Sequence, residues 1–588
     1  MFPQRSLTPE QLQQARAYRR LQVWYGLLLV VAAIFIVRLF YLQVVRHDYY
    51  AAAAKSGQLK AYTIPSERGA ILARDGDAFV PLVLNEKRYS LFADPQFVSQ
   101  PDSAALKLAA ITGGQARQYA TQMRAANTRY VVLAKKLGKE QAQAIDKLAL
   151  KGIGTREEPQ RTYPQGGLAA QLIGFVNDEG QGKYGIEEAL EAELRGRDGL
   201  LRAITDAGGV PLVSNRDNVQ IDPIAGSSVA LTIDITMQRQ LEELLKQGLQ
   251  AAKSNSGSAV ILDPNSGAVK ATANYPSFNP AEFYRVEDAS LFSNAAFSSP
   301  LEPGSVMKPL TAAAALEQGV VNPDTTYYDP GFYKVDGYTI TNIEEVGGAA
   351  TRSVRDILKL SLNTGATWLL RQMGGGELDA KARQTWHGYM SERYRFGRLT
   401  GIENYEVPGV VPDPMNGDGL NISYANTSFG QGLTVTPLQL AAALGSVING
   451  GTYYRPHLVE KIISADGKQL PGEPQIVRRH VVSEQVSAQV REMMQQVVER
   501  NNKPALRDGY QVGGKTGTAQ IAKPGGGYYD DRYNGMYIGF VGGQRPEYVI
   551  VIRVNEPKIG GYAGARAAAP LFAAVSNMLI NSFAITPR

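Results

Sequence analysis

The sequence predicts an α+β fold tied to a membrane by one N-terminal helix, on three observations. Strand-like apolar runs gather at 229–233, 259–262 and 268–273 and again at 536–541 and 548–554, with helical spacing between the two groups. Residues 21–45 are apolar almost throughout. Ser305 stands three residues before Lys308 at the head of an alanine-rich run, 310–316, and that spacing puts a hydroxyl and an amine on one helix face. Strands at both ends of a long segment with helices between them imply an antiparallel sheet covered by helices.

The apolar stretch comes first. Residues 21–37 are interrupted only by Gln22, and 39–45 continue past Arg38, which gives enough length to cross a bilayer with Arg38 snorkelling to the interface. Arg16, Arg19 and Arg20 precede it against the single acid Glu10, so the N-terminus is expected in the cytoplasm, with more than 500 residues outside. The rival is a cleaved signal peptide with its cut at Ala51–Ala54. Those alanines lie well past the apolar run, which is also long for a signal sequence, so an uncleaved anchor is the reading taken. Residues 1–20 are then a cytoplasmic tail and 21–45 the anchor.

The 588 residues are 44% hydrophobic and 20% charged, a globular balance with length for two or more domains. A net charge of +6 is too mild over this length to argue for nucleic acid. There is no cysteine and the four histidines are scattered, which leaves no thiolate site and no paired-histidine metal motif; no metal and no cofactor are expected.

Residues 46–225 read as a mixed packing module, with a strand near 89–93 and a helix near 139–150. Arg68-Gly69, Arg161-Thr162-Tyr163-Pro164 and Gly185-Ile186-Glu187 read there as turn-like points without chemistry. A second domain, 226–588, opens with the strand at 229–233. Met237, Leu241, Leu244 and Leu245 then recur at helical spacing. Pro264-Asn265-Ser266-Gly267 is a turn joining two hairpin strands, and 570–583 is a closing helix.

Pro309 cannot donate to a carbonyl four residues back, so the helix around the Ser–Lys pair is expected to begin at about Ser305. A serine placed there attacks a carbonyl once its proton is removed, and an amine one turn on removes it if its own pKa is depressed. Ser361-Leu362-Asn363 ends an apolar-periodic stretch and offers a second hydroxyl with an amide. Ordinary turn or cap chemistry would also account for it. Lys515-Thr516-Gly517-Thr518 follows Gly514, and Gly509 with Gly514-Lys515-Thr516 fits a phosphate-loop pattern. That loop must open a helix, whereas Gly517 and then Pro524-Gly525-Gly526-Gly527 follow here and cannot sustain one. Taken instead as an edge strand, Lys515 supplies charge for a substrate carboxylate, Thr516 and Thr518 supply hydroxyls, and Gly517 a bare backbone against which a peptide lies. Lys515 near Lys308 would also help keep Lys308 neutral.

In the order Ser-x-x-Lys, Ser-x-Asn, Lys-Thr-Gly, these groups resemble those of the penicillin-recognising serine enzymes. The resemblance covers nearly the whole chain and narrows to class B penicillin-binding proteins, with a tail, one span, a pedestal and a transpeptidase domain. Arg68-Gly69, Arg161-Thr-Tyr-Pro164 and Gly185-Ile-Glu187 look like that family's pedestal motifs. Gly525 to Tyr529, 536–541 and Asn555-Glu556-Pro557-Lys558 look like its cell-division, or septal, subgroup. Two departures stand out: Ala73 where an acid is usual before Arg74, and Ala295 where an arginine is usual after Asn294.

The resemblance implies a D,D-transpeptidase that cross-links peptidoglycan stem peptides ending in D-Ala-D-Ala and is acylated by β-lactams. Ser305 would be the nucleophile, Lys308 its base, Ser361 a proton relay, Asn363 and Lys515 catalytic partners, and Thr516, Gly517 and Thr518 the substrate-binding edge. It also implies a membrane glycan polymerase and division proteins as partners. The rivals are a D,D-carboxypeptidase, a β-lactamase, and a non-catalytic scaffold or antibiotic sensor. Anchor and pedestal argue against a β-lactamase, and complete motifs against a scaffold. Only the fate of the acyl group separates the carboxypeptidase.

Overall fold

The computed structural model describes residues 9–50, 59–125, 128–204, 219–342, 346, 348–417, 420–523 and 527–587. Residues 1–8 of the expected tail, Ala51–Ala54 and Gly525–Gly526 lie outside the described residues. The chain forms two compact units, 1–66 with 197–224, and 67–196 with 225–588.

The first unit holds the helix Pro9–Phe40 (α1), extended by a wider turn over Tyr41–Val45. Its stretch Tyr18–Val45, 28 residues, is long and apolar enough to cross a membrane, and its side chains are almost all exposed. The same unit holds a three-stranded antiparallel sheet of Leu59–Ile64, Gly199–Ile204 and Val219–Ile221.

The second unit is built on a five-stranded antiparallel sheet. Its members are Ser256–Leu262 (β1), Val269–Tyr275 (β2), Gln511–Ala522 (β3), Tyr528–Gly542 (β4) and Pro546–Asn555 (β5), in the order β2-β1-β5-β4-β3. Both faces of this sheet are covered, which explains the consecutive buried runs at 259–262, 536–541 and 549–552. Val260, Leu262, Met536, Ile538 and Phe540 enter one core, and their alternates Ala259, Ile261, Tyr537 and Val541 enter the other. The second face packs on the helices Ile235–Ala251 (α2) and Ala569–Ser582 (α7). The first packs on a helical layer that includes Lys308–Glu317 (α3), Val354–Lys359 (α4), Asn363–Met373 (α5) and Glu484–Asn501 (α6). Ala312 to Ala315 of α3 are fully buried, because neighbours close on every side of this helix and only small side chains leave them room.

Three expectations are corrected. The strand at 229–233 forms, as Ser228–Asp234, but not in the five-stranded sheet: it runs parallel to Ile71–Asp75 and antiparallel to Val459–Ile463 in a separate seven-stranded sheet. The α-helix begins at Lys308, three residues later than expected, and Ser305 sits in a 3₁₀ turn, Gly304–Met307. Pro309 has no N–H to give, and the turn tightens so that the Lys308 N–H donates to the Ser305 carbonyl. The supposed turn-like points of 46–225 are a buried ionic knot. Glu187, fully buried, accepts from Arg68 Nε and from Arg161 Nε, each at 2.7 Å, with Arg161 on the strand Ile153–Thr162 and Glu187 on the helix Gly185–Ala189.

Ala73 is buried, and the next residue, Arg74, is held by Glu460 instead of a neighbouring acid, with Nε to Oε2 at 2.8 Å. Ala295 opens a short helix whose cap is Asn294, itself held by Asn274 Nδ2 at 3.0 Å.

Candidate active site

Three chain segments meet beside β3. In a 3₁₀ turn, side chains three apart eclipse, so Lys308 lies directly over Ser305, with Nζ 2.8 Å from Oγ. Gly304 makes the turn possible. Its φ is +61°, and a Cβ there would come within 2.8 Å of the Thr518 carbonyl oxygen, so only glycine lets the turn lie against β3. The second segment is the bend between α4 and α5, where Ser361 takes a φ of +58° and points its carbonyl and hydroxyl at Lys308. The third is β3, the edge strand, which carries Lys515, Thr516, Gly517 and Thr518.

Lys308 is fully buried and has four oxygen neighbours: Ser305 Oγ, the Ser361 carbonyl at 2.7 Å, Ser361 Oγ at 3.2 Å and Asn363 Oδ1 at 2.8 Å. Asn363 is fixed in that orientation because its Nδ2 donates to the Thr341 carbonyl at 3.0 Å. Burial pushes the Lys308 pKa well below the ordinary lysine range, and the charge of Lys515 pushes it the same way. A neutral amine has two N–H donors and one lone pair. The Ser361 carbonyl and Asn363 Oδ1 can only accept, so they take the two N–H groups and leave the lone pair facing the Ser305 hydroxyl.

Ser361 Oγ also receives the Lys515 ammonium at 2.9 Å, and Lys515 donates to the Thr516 carbonyl at 3.0 Å. Burial pulls Lys515 down to about 7. Thr516, Thr518 and Gln520 alternate along β3 toward a groove of about 1370 Å³ that also contains Ser305, Ser361 and Asn363. Gly517 sits between them, fully packed, where a Cβ would meet the Pro303 carbonyl oxygen at 2.7 Å. Thr518 Oγ1 accepts from the Gly564 N–H at 3.0 Å.

The structure thus brings six of the eight sequence-predicted residues to one groove, with Lys308 buried behind it in contact with Ser305 and Gly517 packed against the nucleophile turn. Lys515 lies inside β3, and among the described residues the next element is the strand β4, not a helix, which removes the phosphate-loop geometry. Two supports escaped the sequence reading. Glu302 accepts from the Gly432 N–H and from the Tyr528 hydroxyl, each at 2.9 Å, and so ties the β3–β4 hairpin to the nucleophile turn; desolvation raises its pKa. Thr364 donates to Asp329 at 2.8 Å and exchanges bonds with Asn342, which pins the start of α5. Glu302 lies three residues before Ser305 and was open to suspicion for that reason. Nothing local marks Asp329 or Asn342. Among the described residues no group of histidines, cysteines or acids is arranged to hold a metal.

Residues 257–577 match the family model for the penicillin binding protein transpeptidase domain, and 63–231 that for the penicillin-binding protein dimerisation domain. The chain is 30% identical to stage V sporulation protein D of Bacillus subtilis, across 95% of this chain and 85% of that one. It is 29% identical to the peptidoglycan D,D-transpeptidase FtsI of Escherichia coli, across 96% and 91%. Among solved structures it is similar to penicillin-binding protein 3 of Mycobacterium tuberculosis complexed with aztreonam, with a TM-score of 0.67, 27% identity, and 90% and 98% of the two chains covered. Penicillin binding protein 2X of Streptococcus thermophilus shares the fold, with a TM-score of 0.74 at 23% identity over 89% and 81%.

Proposed function

Since the chain belongs to the class B penicillin-binding proteins, we propose that it is a serine D,D-transpeptidase cross-linking D-Ala-D-Ala stem peptides in septal wall synthesis, and that β-lactams acylate it. The observation that carries this reading is the buried Lys308 amine 2.8 Å from Ser305 Oγ, its pKa pushed well down by burial and the Lys515 charge, with Ser361 between it and Lys515.

In this mechanism Lys308 takes the Ser305 proton and Oγ attacks the carbonyl carbon of the penultimate D-Ala. The tetrahedral oxyanion is held by the backbone N–H groups of Ser305 and Thr518, one in the 3₁₀ turn and one on the sheet edge. Ser361 passes a proton to the leaving nitrogen, the peptide C–N bond breaks, and D-Ala departs. An acceptor amine then attacks the ester, gives up a proton along the same path, and restores Ser305. Asn363 orients the substrate amide. Lys515, Thr516 and Thr518 hold the terminal carboxylate; Gly517, expected to bare the backbone for the peptide, instead lets β3 lie against the nucleophile turn. A β-lactam presents a strained amide and a carboxylate in the same places.

The proposed organisation is tail 1–20, anchor 21–45, pedestal 46–225 and transpeptidase domain 226–588. Arg16, Arg19 and Arg20 before the anchor favour a cytoplasmic N-terminus and an external catalytic domain. The family resemblance favours a membrane glycan polymerase and division proteins as partners, which co-purification from membranes would test.

Stem pentapeptide supplied with a D-amino acid acceptor decides between transfer and hydrolysis. Exchanged peptide is expected; release of D-Ala with no exchanged product would make the protein a D,D-carboxypeptidase.

A further inference from the structure

The groove continues past Lys515, and its far wall is cationic. Arg352 lies on the strand Ala350–Ser353, Lys359 at the end of α4 and Arg500 in the last turn of α6, and all three line the groove that holds Ser305. Asn501 Nδ2 donates to the Lys359 carbonyl at 3.2 Å and so keeps the ends of α4 and α6 together. Nearby cations are paired: Arg355 with Asp324 and Glu492, Arg491 with Glu484. Among the described residues Lys359 and Arg500 have no such carboxylate. Among the described residues the one acid on this wall, Asp356, is occupied as a helix cap by the Ser353 N–H at 2.9 Å and its hydroxyl at 2.8 Å. Among the described residues lining this wall, three cations stand against one committed carboxylate, a balance that favours anions.

The position of this wall gives the field a use. Lys359 stands two residues before Ser361, the hydroxyl that bridges Lys308 and Lys515, so the cations flank the side from which the leaving amine departs. Amine exchange at an acyl carbon is its own reverse, so the incoming amine occupies the place the outgoing one left. An acceptor stem peptide carries free carboxylates besides the amine that attacks. We propose that Arg352, Lys359 and Arg500 form an anion subsite for a carboxylate of the acceptor stem peptide, which brings the acceptor amine to the acyl-enzyme ahead of water. This rests on the reading of Ser305 as the acylated residue.

The test uses the full chain in detergent with a donor pentapeptide and two acceptor peptides, one with free side carboxylates and one with them amidated; the ratio of cross-linked to hydrolysed product is measured. The wild type is expected to favour the free acceptor by roughly tenfold at low salt, and added salt should shrink that preference. Lys359→Gln/Arg500→Gln should abolish the preference without changing penicillin labelling of Ser305, and Lys359→Arg should retain it. If the double variant loses labelling, Arg500→Gln alone, at an exposed position, carries the comparison. The proposal is overturned by a preference that survives in the variant, by an equal fall with both acceptors, or by a preference that follows amidation of the donor instead. Failure of wild-type penicillin labelling would overturn the transpeptidase reading itself and is scored separately.

Discussion

Lys308 and Lys515 have the same charge type and opposite tasks. Lys308 works as a base only without its proton, and burial with the neighbouring Lys515 charge keeps it so. Lys515 works as a carboxylate anchor only with its proton, yet burial has brought it down to about 7. Second-order acylation by penicillin should therefore rise as Lys308 deprotonates and fall again above pH 7 as the free enzyme loses the Lys515 charge, giving a bell-shaped profile by stopped-flow fluorescence. Lys515→Arg should remove the falling limb, because a guanidinium keeps its charge there. The stability consequence has a definite sign. Both folded-state pKa values lie below the unfolded value, so the unfolded chain binds more protons; stability should be poorest below about pH 7 and recover as pH rises toward the ordinary lysine range. Thermal melts across that range would check it.

At the scale of elements, the site depends on an edge strand pressed against a 3₁₀ turn. A methyl group at Gly517 would meet the Pro303 carbonyl oxygen at 2.7 Å and Val306 Cγ1 at 2.9 Å. Gly517→Ala should push β3 off the nucleophile turn and slow acylation about 10²-fold, the usual cost of misplacing reacting groups by about 1 Å, with the circular dichroism unchanged. The elements themselves were legible where one local pattern dominates. The hairpin turn at Pro264–Gly267, the strands at 536–541 and 548–554 and the closing helix near 570–583 all form where spacing predicted them. Pairing was not legible. The run at 229–233 is apolar enough for either sheet, and only a register with Ile71 and Leu72, over 150 residues away in sequence, sends it to the seven-stranded one. The site was readable as three motifs because each carries its chemistry within four residues. Asp329, Asn342 and Thr364 were not, since they are joined only by the fold.

Across the molecule, charge is buried where it organises and not only where it reacts. Glu187 holds Arg68 and Arg161 together with no exposure of its own. Glu187→Ala would leave two nearly buried guanidiniums without it and should cost about 3–5 kcal/mol. A lowered melting midpoint, with penicillin labelling of the remaining folded protein intact, would separate this structural role from the catalytic one. The chain has no cysteine, so a single cysteine introduced at Ser6 or at Asp508 reports topology without background. An impermeant thiol reagent on whole spheroplasts should reach the second and not the first; the reverse would invert the anchor. The most direct test of the central claim is to digest the penicillin-treated protein and map the adduct by mass spectrometry. The penicilloyl mass should sit on the peptide containing Ser305 and vanish in Ser305→Ala, whereas an adduct on another peptide, or one that persists in that variant, would contradict the account.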